Sequence, residues 1–192
     1  MAERAEPFEP FIAFYREQGL PRPRMERMAP ADVPQPYHRL LVHEQAMTPT
    51  LEDFCGQRLA LRVLSSREEA SVLRRQVVLS GARDGHPVEL GAIFIELACF
   101  DAPARERLRE GLTPLGTLLR EFDVAFSCQP TAYFRVEADS LVRTALALEA
   151  GVPPLFGRCN RILTPGGGVL ADVVEVLAPV RAARDAHVLR AG

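Results

Sequence analysis

An arginine on an apolar strand face is the residue in this chain whose position most plainly asks for chemistry. Residues 71–80, SVLRRQVVLS, read as a strand and place Leu73, Arg75, Val77 and Leu79 on one face and Val72, Arg74, Gln76, Val78 and Ser80 on the other. A guanidinium among Leu and Val keeps its proton and is costly to desolvate, so it needs an anion, either a protein carboxylate or a ligand's. Residues 169–177, VLADVVEVL, alternate in the same way and put Glu175 alone among Val169, Ala171, Val173 and Leu177. If both strands belong to one sheet, Arg75 and Glu175 line a common interior pocket. Two plainer arrangements stay open: Arg75 reaching a sheet edge or a structural Glu, and Arg75 pairing with Glu175 itself.

The rest of the composition narrows the chemistry. All 23 residues counted as Lys plus Arg are arginines, so a Schiff-base lysine, a P-loop lysine and a lysine general base are excluded. Cys55, Cys99, Cys128 and Cys159 form no CxxC pair and His38, His43, His86 and His187 show no ligand spacing; no metal and no cofactor is expected. A formal charge of -2, with no basic block and no aromatic-basic interleaving, argues against nucleic-acid binding. Apolar runs fall short of a membrane span and the N-terminus has no signal-like pattern, which predicts a cytoplasmic protein with no membrane partner.

The elements that must position Arg75 and Glu175 are also legible. Residues 1–36 read as an N-terminal appendage: a short helix over 10–18 presents Phe11, Phe14 and Tyr15, and 25–36, broken by prolines, reads as a linker or covering loop. The compact domain spans 37–180, and 181–192 reads as a tail. Thr48 and Thr113 are expected as helix N-caps, each followed by proline, and Asp101 and Asp139 as caps of helices over 102–110 and up to 149. Strands are expected over 57–64, 71–80, 88–97, 125–136, 156–163 and 169–177. Asp84-Gly85 joins the second and third of these as a hairpin, and the triple glycine 166–168 joins the last two. Hairpin-paired strands with helices inserted between them predict an α+β fold on an antiparallel sheet enclosing a buried pocket.

Five segments in this order, LLVHEQAMTPTLE, LRRQVVL with a turn and HPVELGA, TPLGTLL, GRCNRIL and LADVVEVLAP, resemble the chorismate lyase superfamily, over roughly residues 40–179. Its fold is also used by effector-binding domains of some transcription regulators. The resemblance implies a buried pocket for a small aromatic or cyclohexadienyl carboxylate, contacted by Met47, Arg75, Leu115 and Glu175. Arg75 would hold a carboxylate, Glu175 would bond the ring hydroxyl or ether oxygen, and Leu115 would act through its backbone. One departure stands out. In the lyases an arginine follows the glycine of the second hairpin strand and helps bind the substrate's carboxylates, whereas here Gly91 is followed by Ala92. Arg74, Arg158 and Arg161 are the candidates to replace it.

Three functions follow. The first is a lyase that eliminates pyruvate from chorismate to leave a hydroxybenzoate, with Arg75 and Glu175 as the catalytic pair and Glu175 handling the proton of the departing oxygen. The second is another reaction on a substrate with a single carboxylate. The third is a non-catalytic protein that binds a hydroxybenzoate-like ligand. A DNA-binding regulator is disfavoured, because nothing in residues 1–36 reads as a helix-turn-helix.

Overall fold

The computed structural model describes residues 6–180. Seven antiparallel strands form its sheet: β1 (Met25–Met28), β2 (Leu59–Glu69), β3 (Val72–Gly81), β4 (Pro87–Glu96), β5 (Ser127–Val136), β6 (Leu155–Leu163) and β7 (Val169–Leu177), in the order β1-β5-β6-β7-β4-β3-β2. Six helices accompany them: α1 (Glu9–Glu17), α2 (Tyr37–Leu41), α3 (Met47–Cys55), α4 (Ala102–Glu110), α5 (Leu115–Glu121) and α6 (Ser140–Leu146). The α+β class and the antiparallel sheet agree with the sequence expectation. The strands carrying Arg75 and Glu175 are separated by β4 alone, so the two residues do share a sheet.

Each sheet face has its own core. On one, α1 and α6 cover Val78, Leu90, Phe134, Val174 and Val176, with Phe8 edge-on to Phe134 at 5.3 Å between ring centroids. Helix α1 forms because Phe11 and Tyr15, four residues apart, point to one side, with Glu9 in its first turn and Arg16 in its last. Residues 8–28, set apart in the sequence reading, thus supply a helix that buries aromatic rings and a strand that pairs with β5. Strand β1 lies where a loop was expected. The expected tail over 181–192 lies outside the described residues.

The opposite face is covered by helices α2 to α5 over residues including Leu73, Leu79, Ile93, Ile162, Val173 and Leu177. Asp101 and Asp139 cap α4 and α6 as expected, accepting from the Ala104 and Val142 backbone N–H groups. The two threonine caps are corrected. Ala46 precedes α3 and Pro114 precedes α5, neither with a side-chain cap bond, and Thr48 is buried within the first turn of α3. Helix α6 ends at Leu146, short of 149, where Ala147 turns left-handed at φ 51°. The triple glycine is the turn between β6 and β7, with Gly167 at φ 80°, a conformation for which glycine is suited.

Candidate functional site

The covered face of the sheet is not packed solid. Beneath the first turns of α3 and α5 lies a cavity of about 70 Å³ whose lining includes Met47, Arg75, Leu115 and Glu175, all four residues singled out from sequence. Its other walls are mostly apolar, from Leu61, Val77, Ile93, Leu119, Phe126 and Val173, with Glu89, Gly91 and Asn160 among them. For scale, an apolar cavity of roughly 150 Å³ holds benzene. The cavity as it stands is less than half that size, so a ring enters only if the first turns of α3 and α5 move outward to admit it.

Register fixes the floor. Val77, Gly91, Glu175 and Arg158 lie side by side across β3, β4, β7 and β6, and Arg75, Ile93, Val173 and Asn160 form the next row. Glu89, opposite Leu177, lies one row beyond Gly91 on the other side. Gly91 leaves the middle of the floor without a side chain: a Cβ there would stand 3.1 Å from Val77 Cγ2 and 3.2 Å from Glu89 Oε1.

Arg75 is 5% exposed, and its Nη1 donates to the Leu108 carbonyl at 3.0 Å. That carbonyl belongs to the last turn of α4, whose negative end partly offsets the cation. The buried Nε has no partner, and among the described residues no carboxylate pairs with this guanidinium. Burial pushes its pKa down to about 10, which still leaves it charged at neutral pH. Both plainer arrangements are thereby ruled out: Arg75 neither reaches solvent nor pairs with Glu175.

Glu175 is held by a different arginine. Arg158, on the neighbouring strand β6, is fully buried and donates through Nε to Glu175 Oε2 at 2.5 Å. Its Nη1 donates to the Leu41 and His43 carbonyls at 3.4 and 3.0 Å, and its Nη2 to the Gln45 carbonyl at 3.0 Å. Every nitrogen of Arg158 is thus engaged, and the chain between α2 and α3 is wrapped around it. His43 completes the arrangement. Its Nε2 lies 2.8 Å from the Leu40 carbonyl, which can only accept, so Nε2 carries the proton and Nδ1 is free to accept from Arg158 Nη1. Burial, reinforced by the Arg158 charge, lowers the His43 pKa and keeps the ring neutral.

None of the three candidate arginines replaces the lyase arginine. Arg158 has its donors committed, Arg161 pairs with Asp172, and Arg74 stacks over Phe94 and pairs with Glu17 and Glu69. Ala92 itself belongs to the core on the other side of the sheet, with Val78 and Leu90. The cavity-facing positions of β4 are Glu89, Gly91 and Ile93, so a longer side chain at residue 92 would not point into this cavity.

Glu89 is the residue that the sequence reading missed. It is 4% exposed, and its Oε2 has no hydrogen-bond partner among the described residues. Burial, then the charge of Glu175, raise its pKa well above the usual carboxylate range, against the opposing pull of Arg158. Asn160 Oδ1 is likewise buried and unpaired among the described residues. Alternation places Glu89 on the face of Gly91 and Ile93, but a strand start beside a turn reads as exposed, and nothing in HPVEL marks this acid as interior.

A larger groove, about 430 Å³, opens between α3 and the start of β4, lined by Leu40, Leu51, Phe54 and Val88. Its charged lining residues Arg83 and Asp84 are exposed, so they carry no desolvation penalty for a ligand to relieve. Among the described residues no helix is long and apolar enough to cross a membrane, and no cluster of His, Cys, Asp or Glu is arranged to hold a metal.

No family model matches the chain, and no curated protein matches it in sequence. Solved structures share its fold. PhnF from Mycobacterium smegmatis aligns at 14% identity and a TM-score of 0.56, over 74% of this chain and 66% of PhnF, so the chain spans just under two thirds of that protein's length. The effector domain of PhnF from the same organism aligns at 15% identity and a TM-score of 0.55, over 69% of this chain and 87% of the domain. At these identities the likeness is one of fold. It agrees with the α+β architecture expected from the sequence and lends no support to a lyase identity.

Proposed function

We propose that this chain is a non-catalytic binding domain for a small organic carboxylate, of the size and shape of a hydroxybenzoate, with Arg75 as the carboxylate anchor. The observation that carries the reading is a buried guanidinium, open to a mostly apolar cavity, with one carbonyl partner and no counter-anion among the described residues. A desolvated charge of this kind is costly unless an anion completes it, and a ligand carboxylate can make two parallel bonds to the fork. The sharing of fold with an effector domain supports a sensing role of this type.

The lyase reading asks for more than the site offers. Chorismate brings two carboxylates, and Arg75 is the one cavity guanidinium among the described residues with uncommitted donors. Glu175, cast as the proton-handling acid, is engaged by Arg158.

Isothermal titration with benzoate and 4-hydroxybenzoate tests the binding reading. The wild-type chain is expected to bind both, and Arg75→Met to bind either about 10- to 150-fold more weakly, the equivalent of a lost charge-assisted pair. Equal affinity in Arg75→Met would refute the anchor. In parallel, incubation with chorismate is expected to release no pyruvate; turnover that depends on Arg75 would restore the lyase.

A further inference from the structure

We infer that Glu89 is a second anchor in the cavity, selecting a ligand that carries one carboxylate, for Arg75, and one uncharged hydrogen-bonding group, such as a ring hydroxyl, for Glu89. This rests on Arg75 as the carboxylate anchor and adds what the other end of the ligand must be.

The geometry points to it from three sides. Arg75 and Glu89 stand two rows apart on the same sheet face, since Arg75 lies opposite Ile93 and Glu89 is four residues from Ile93 along β4. At about 3.3 Å per residue this is roughly 13 Å between backbones, a gap shortened by two side chains that line one cavity. The row between them holds Gly91, where a Cβ would stand 3.2 Å from Glu89 Oε1, so the Glu89 carboxyl leans over the glycine toward the row of Arg75. Finally, Glu89 Oε2 and Arg75 Nε are both buried without a partner among the described residues, and each is an unmet hydrogen-bonding demand on a side chain that lines the cavity.

The charges around Glu89 decide what it asks for. Glu175 on β7 repels a second negative charge, and the Arg158 cation on β6 is already shared with Glu175. Cys128 on β5 also lines the cavity, with its thiol pKa raised by burial. Arg75 sits two rows away, and His43, beyond Arg158, is neutral. Glu89 in these surroundings holds its proton, and a carboxylic acid presents one donor and one acceptor, the complement of a hydroxyl. A second ligand carboxylate at the same place would face Glu175 with no free cation beside it. The cavity accordingly admits a monoanion and turns away a dianion.

Titration calorimetry at pH 7 with benzoate, 4-hydroxybenzoate, 3-hydroxybenzoate and terephthalate tests this on the full chain and on Glu89→Gln and Glu89→Leu. The wild type is expected to prefer at least one hydroxybenzoate to benzoate by about tenfold and to bind terephthalate more weakly than benzoate by at least about tenfold. In Glu89→Leu the hydroxyl preference is expected to fall to within about twofold while benzoate still binds. Glu89→Gln, which replaces a neutral acid by a neutral amide that keeps a donor and an acceptor, is expected to retain both the preference and the exclusion of terephthalate, because Glu175 is unchanged. Benzoate binding without a hydroxyl preference in the wild type, a preference that survives in Glu89→Leu, or terephthalate bound as tightly as benzoate would each overturn the role of Glu89 and leave Arg75 standing. Failure of every probe to bind the wild type would overturn Arg75 and Glu89 together. If Glu89→Leu does not fold, the wild-type ranking of the four probes still decides.

Discussion

Arg75 and Arg158 are the same residue type on the same face of one sheet, 5% and 0% exposed, and their surroundings could hardly differ more. Arg158 meets a carboxylate, three carbonyls and an imidazole nitrogen, all from the chain itself. Arg75 meets one carbonyl. Burial alone therefore does not separate a structural cation from a ligand-binding one; the count of unmet donors does. Arg158 is completed within the protein, whereas in the proposed function Arg75 is completed by a ligand carboxylate. Glu175 and Glu89 repeat the contrast in the opposite charge, the first satisfied by Arg158 and the second with an unpaired oxygen.

The comparison breaks first at Arg158. Arg158→Leu leaves Glu175 as a buried acid without its cation and strips partners from the carbonyls of Leu41, His43 and Gln45. A loss of about 3–5 kcal/mol is expected, the usual cost of removing one member of a buried pair. Thermal denaturation would record it as a fall of about 6–20 °C in Tm for a chain of this size. Arg75→Met should go the other way in the absence of ligand. It removes a desolvated charge that no carboxylate among the described residues offsets, so its stability is expected to be unchanged or raised by up to about 2 kcal/mol. If the two variants lose equal stability, the distinction between them is wrong.

How much of this was legible in the sequence follows from the same contrast. Alternation is a local property of the backbone, so it placed Arg75 and Glu175 on apolar faces, and both strands were located within a residue of where they lie. Which residue pairs with which is non-local. Nothing in GRCNRIL told that Arg158 would face Glu175 across a strand pair, and the loop that surrounds Arg158 comes from more than a hundred residues earlier in the chain. Ala92 misled for a related reason: a motif match fixes position along the strand, whereas the pleat decides which face a position serves, and residue 92 serves the other face. Strand β1 was missed because a four-residue edge strand, MERM, between prolines carries too few residues for a period to emerge.

The two carboxylates offer a milder way to sharpen the comparison. Glu89 has its folded-state pKa raised well above the unfolded value near 4.3, so the folded chain holds a proton that the unfolded chain releases. Its contribution to stability is complete below the unfolded pKa and is lost as pH rises toward the folded one, with a slope of at most about 1.4 kcal/mol per pH unit. Wild-type stability in urea is thus expected to fall between about pH 5 and neutrality from this group, and Glu89→Gln to flatten that part of the profile. An identical profile in the two proteins would mean that Glu89 is ionised in the fold and does not differ from Glu175 in the way described.

The smallest effect is expected at Gly91, the glycine in the row between the two unsatisfied groups. In Gly91→Ala the new methyl would lie 3.1 Å from Val77 Cγ2 and 3.2 Å from Glu89 Oε1, closer than relaxed contact but against side-chain atoms that can shift by a few tenths of an ångström. Alanine is worth roughly 0.5–1 kcal/mol more than glycine within a strand, which offsets the crowding, so stability is expected to change by less than about 1 kcal/mol. Affinity for a ring ligand should still fall, by about three- to tenfold, because the methyl occupies the surface on which the ring lies and nudges the Glu89 carboxyl. A change in affinity without a change in stability is what a ligand floor predicts. Loss of stability with unchanged affinity would place the ring elsewhere and make Gly91 a packing residue like any other in the sheet.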